Sequence, residues 1–88
     1  MEEKMAKLRY PIEFEGKRIE EITLRRATVK DMRKAKEISG DDAESEVILI
    51  SDLANLPIDA IEALDLWDYQ VLQRELSSFL PKSHRSKN

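Results

Sequence analysis

A chain of 88 residues and 10.2 kDa can bury about 64% of its unfolded surface, which supports one small hydrophobic core and no second domain. Apolar residues at 41% and charged residues at 38% describe a soluble globular chain, and the absence of cysteine excludes disulfides, thiolate nucleophiles and cysteine-ligated metals. The net charge of −3 hides a division: residues 1–40 carry +3, residues 41–81 carry −9 and residues 82–88 carry +3, so the acidic half repels phosphate.

Residues 1–7 hold no apolar run of a secretory leader and read as a flexible N-terminus. From residue 8 the pattern alternates. Tyr10, Ile12 and Phe14 fall two apart, as do Ile22 and Leu24 on the return run, with Gly16 between. The spacing predicts a β-hairpin over 8–24 with a loop of three to five residues. Ile19 breaks the phase, which suggests a bulge or a late strand start there. Two strands alone are marginal in water, so the apolar face of the hairpin must pack on helices or on another chain.

Four helical segments follow. Thr28 with Asp31 three residues on forms a capping signature and starts a helix over about 28–39. Its apolar stripe reads as Val29, Met32 and Ala35, and Gly40 reads as its left-handed terminator. Asp41 or Asp42 caps a second helix over 42–54, with Ala43, Val47, Ile50 and Ala54 inward and Ile48 on the polar side. Residues 47–50 are also what a buried strand looks like, but the flanks favour helix. Pro57 suits the first turn of a short helix over 57–64. The last helix, over 66–80, presents Leu66, Tyr69, Leu72, Leu76, Phe79 and Leu80 as its main stripe and ends at Pro81. Residues 81–88 read as a disordered basic tail. The expected fold is α+β: an N-terminal β-hairpin followed by three or four helices in one domain spanning 8–80.

Little in this inventory carries bond-making chemistry. The single imidazole, His84, lies in the tail, where no third group can orient it. The carboxylates cluster at helix starts, where they offset the helix dipole. Their spacing is not that of a calcium loop, and there is no glycine-rich phosphate loop, so no cofactor or metal is expected. The longest apolar run, at 47–50, is far short of the ~20 residues of a membrane span.

Two surfaces could bind. Trp67 and Val71 lie off the main stripe of the last helix, and Ile48 lies off that of the second helix. They either cover the short helix 57–64 or form a partner contact, a role in which tryptophan is enriched. Arg25, Arg26, Lys30, Arg33 and Lys34 form a basic patch. It reads as a solvated face, as a contact for an acidic protein partner, or as the site of a small nucleic-acid-binding regulator, although the acidic helices beyond offer nothing to read bases. The hairpin edge could in addition accept a strand from another protein or from a second copy.

Particular words in this order carry a resemblance. They are Leu24-Arg25-Arg26-Ala27-Thr28-Val29-Lys30-Asp31-Met32, then Gly40-Asp41-Asp42-Ala43-Glu44, then Leu53-Ala54-Asn55-Leu56-Pro57, preceded by a Pro-Ile-x-Phe-x-Gly segment from Pro11 to Gly16. Over about residues 8–80 the chain resembles the small tail assembly chaperones of Mu-like and related contractile-tailed bacteriophages. The resemblance implies a non-catalytic viral protein of the host bacterial cytoplasm, absent from the mature virion. It also implies binding to the long tape measure protein, which is kept soluble while the tail tube protein polymerises around it. In several such phages a frameshift yields a second, longer product. No contact residues transfer from the family.

Overall fold

Two residues make the hairpin turn. In the computed structural model, which describes residues 3–81, β1 (Glu3–Phe14) and β2 (Lys17–Arg25) pair antiparallel across Glu15 and Gly16. Both turn residues have positive φ, 52° and 78°, the type I′ form whose twist matches that of the strands. Gly16 adopts it without the Cβ penalty that Glu15 bears. The loop is thus shorter than the expected three to five residues, and β1 starts earlier than expected. Residues 3–7, read as flexible, pair with residues 21–25, and Ala6 and Leu8 are buried.

Pairing is interrupted between Lys7, opposite Glu21, and Ile12, opposite Ile19. Residues 8–11 of β1 therefore face Glu20 alone. The irregularity lies in β1, not at Ile19 of β2 as the phase suggested. Pro11 falls within the interrupted stretch, as expected of a residue that strands admit only at edges and bulges.

Helix α1 (Val29–Ile38) begins with the expected reciprocal cap. The Asp31 N–H donates to Thr28 Oγ1 at 3.2 Å, and the Thr28 N–H donates to the Asp31 carboxylate at 2.9 Å. Its end is different. Gly40 is not left-handed; Ser39 turns extended and its N–H returns to the Ala35 carbonyl at 3.1 Å. Of the expected stripe only Ala35 is buried, while Val29 is 70% exposed and Met32 is exposed too. A small residue at the contact lets α1 rest closely on α2.

Helix α2 (Asp42–Ala54) has the expected bounds, with Asp41 accepting the Glu44 N–H at 2.8 Å as its cap. Residues 47–50 are helical. It ends on Asn55 in the left-handed conformation assigned in advance to Gly40. α2 touches β2, α1 and α3 (Ile58–Glu62), and its buried residues Ser45, Ile48, Ile50, Ser51 and Leu53 point to all its sides. Ile48, expected on the polar side, is only 4% exposed because α3 packs against α2.

Helix α4 (Leu66–Ser77) packs on β1 and stops short of Leu80, with a turn at Ser78 and Phe79 before Pro81. Its buried line runs through Asp68, Leu72 and Phe79, not through Leu66, which is 67% exposed. Leu80 is exposed as well, and Tyr69 and Leu76 are half-buried at the edge. The core gathers Leu24 from β2, Ile50 from α2, Ile61 from α3 and Leu72 from α4. Each such side chain contributes about 1.5–3 kcal/mol by leaving water. The architecture is the expected α+β arrangement of a hairpin and four helices. The tail at 82–88 lies outside the described residues.

Candidate protein-binding surface

The interrupted pairing of β1 leaves backbone donors that need partners, and α4 supplies one. Asp68, 1% exposed, accepts the Arg9 N–H on Oδ1 at 2.8 Å and the Tyr10 N–H on Oδ2 at 2.9 Å. Both carboxylate oxygens are thus used, by two successive amides. Asp65, at the N-cap, accepts the Trp67 N–H at 2.9 Å, so Asp68 is free of that duty. A charge-assisted bond of this kind is roughly twice as strong as a neutral one.

This tether brings the bulge onto the first turn of α4. The Arg9 guanidinium lies over the Trp67 ring at 4.9 Å from its centroid and 5.8 Å from that of Tyr10. A cation over an aromatic face is attracted by the ring quadrupole, most strongly for tryptophan. Trp67 stays 47% exposed and Tyr10 is similarly open. The result is a surface of two aromatic rings bridged by one guanidinium, held from beneath by a buried carboxylate. Val71, one turn along α4 from Trp67, is half-buried and packs against the core. Ile48 does not join them. It lines a groove with Val47 and Ile58 between α2 and α3, so its burial gives it a structural role.

Sequence reasoning found Trp67 but missed Arg9, Tyr10 and Asp68. The available signal was Pro11 inside an alternating strand, since strands admit proline only at edges, starts and bulges. Nothing in the sequence said that Asp68 would supply the replacement acceptor, 58 residues from Tyr10.

Three of the five residues of the basic patch are engaged internally. Arg25 makes two parallel bonds to Asp31, at 2.8 and 2.9 Å. Hydrogen bonds from Arg25, and then from Thr28, hold the Asp31 carboxyl well below the usual range. Arg26 donates to the Phe79 carbonyl and lies 5.3 Å from the Phe79 ring centroid, and Lys34 is 3.8 Å from Asp52. Lys30 and Arg33 remain beside exposed Val29 on α1. Elsewhere, Tyr69 and Gln73 both donate to Glu46, at 2.8 and 2.7 Å, joining α4 to α2. Burial, followed by Glu46, pushes the Tyr69 phenol above its ordinary value.

Among the described residues no group of three or more acidic or histidine side chains is placed to hold a metal, and no helix is long and apolar enough to cross a membrane. What the molecule offers is a small α+β domain whose prominent feature is an exposed aromatic surface. The family of phage tail assembly chaperone proteins, described as E, or 41 or 14, matches residues 6–81, and the chain belongs to it. Neither a curated protein nor a solved structure matches the chain.

Proposed function

We propose that this chaperone binds the tape measure protein in the host bacterial cytoplasm and keeps it soluble while the tail tube protein assembles, without catalysing a reaction and without entering the virion. The observation that carries this reading is the half-exposed Trp67, held in place by Arg9 beside Tyr10. An exposed aromatic surface is suited to covering the apolar stripes of a long, helical client. The acidic charge of residues 41–81 keeps the resulting complex soluble. Val71 extends the contact from the same helix. Several copies along one client would each need only modest affinity.

Co-expression with the tape measure protein of the same phage tests the reading. The soluble fraction of the client should rise with this chain present and fall with Trp67→Ala or Tyr10→Ala. A client equally soluble without the chaperone removes the role; unchanged capture by both folded variants removes the surface.

A further inference from the structure

Among the described residues β2 has a strand neighbour on one side only, in a sheet of two strands. An open groove of about 630 Å³ runs along it, lined by Arg18, Ile19, Glu20, Ile22, Ala54 and Leu56 among others. β1 is covered differently, because α4 packs on it and Asp68 takes two of its amides. Phe14 and Lys17 close the type I′ turn as a hydrogen-bonded pair, and Ile12 faces Ile19 two residues on. Arg18 and Glu20 therefore direct their backbone N–H and C=O groups away from β1. Such unpaired groups are a template for another strand.

The order of charges identifies that strand. Residues 17–21 read Lys-Arg-Ile-Glu-Glu, a segment complementary to its own reverse. Two copies placed antiparallel about Ile19 set Arg18 against Glu20, Lys17 against Glu21, and Ile19 against itself. The hairpin's own pairing extends the scheme, since Glu13 lies opposite Arg18 and Lys7 opposite Glu21. Across three of the four strands the rows become Glu13–Arg18–Glu20 and Lys7–Glu21–Lys17, with the sign alternating at each step. Centring the contact on Glu21 instead would oppose Glu21 to itself and Lys17 to Arg25. Opposite charges across strands stabilise a register and like charges oppose it.

We propose that the β2 edge is a self-association surface: two copies join antiparallel about Ile19 into a four-stranded sheet whose register is fixed by the Arg18–Glu20 and Lys17–Glu21 pairs. Arg18 and Glu20 already contact each other within the strand, both more than half exposed, and can share these bonds with the second copy. The contact is narrow and its charges are exposed, so the dimer dissociates in the micromolar range and weakens with added salt.

Sedimentation velocity of the full chain, from about 1 to 200 µM, reads this directly. The wild-type chain should reach dimer mass at the upper end, less readily in high salt. Glu20→Arg with Glu21→Lys, and separately Lys17→Glu with Arg18→Glu, should each weaken self-association at least tenfold. Mixed in equal amounts, the two double variants should sediment together as a dimer, with circular dichroism reporting that each is folded. Amide exchange on the wild-type chain needs no variant, and the Arg18 and Glu20 amides should gain protection as concentration rises. A wild-type monomer throughout, a dimer surviving in both variants, folded variants that stay monomeric when mixed, or Arg18 and Glu20 amides indifferent to concentration would each overturn the proposal.

Discussion

Asp68 holds Tyr10 by its backbone, with the carboxylate Oδ2 accepting the Tyr10 N–H at 2.9 Å across 58 residues of sequence. The other oxygen takes the Arg9 N–H, so one buried side chain replaces the ladder bonds that β1 forgoes around Pro11. A fault in a strand and a carboxylate in a helix thus compensate each other. Their meeting point carries the exposed aromatic surface.

Asp68→Ala leaves two part-buried amides without their acceptor. An unmade bond of this kind costs about 1–3 kcal/mol. The variant should therefore lose about 2–4 kcal/mol in urea unfolding. Asp68→Asn retains one acceptor oxygen and should lose less. A loss below about 0.5 kcal/mol for the alanine variant would mean that water replaces the carboxylate freely.

Trp67→Ala and Leu72→Ala should separate binding from folding. Leu72 is fully buried, and its truncation should cost about 2–5 kcal/mol. Half-exposed Trp67 should cost about 1 kcal/mol, mostly its contact with Arg9. Capture of the tape measure protein should show the reverse order when measured under conditions where both variants are folded.

Ile48→Ala should act on stability alone. Its side chain is 4% exposed and lines the floor of the groove between α2 and α3, so the variant should lose about 2–4 kcal/mol of stability. Client capture by the folded fraction should match the wild type, which pull-down at low temperature would check.

Acid should expose the Arg25–Asp31 contact. The folded pKa of Asp31 is lowered, chiefly by hydrogen bonds from Arg25, against an unfolded value of about 3.9. Its stabilising contribution is present above about pH 4 and is lost as pH falls through the lower folded value. Denaturant midpoints should decline below about pH 4, and Asp31→Asn should lower stability at neutral pH while flattening that decline. An identical acid limb in the variant would assign the decline to other carboxylates.

Much of the architecture was legible because it depends on neighbours in sequence. Thr28 and Asp31 lie one helical turn apart and cap each other without help from the rest of the fold. Asp41 likewise set the start of α2, and the alternation at Ile22 and Leu24 correctly placed both in the core. The helix faces were harder to read. The apolar pattern of α4 favoured Leu66, yet the helix is turned so that Asp68 faces β1 and Leu66 faces water. A polar residue with two strong bonds outweighed an apolar one. In α2, apolar residues on two sides were compatible with a partner contact or with burial, and α3 provides the burial at Ile48.

From the sequence alone came the element order, the N-terminal caps of the first two long helices, the absence of cysteine chemistry, the acidic second half and the likeness to tail assembly chaperones. All of these depend on residue identity or on spacings of a few positions. Tertiary structure decided which apolar side chains remain bare, how Arg9 meets Trp67, and where β1 departs from β2. Those features depend on pairing groups tens of residues apart, where an unsatisfied backbone amide and a distant carboxylate find each other only after the chain has folded.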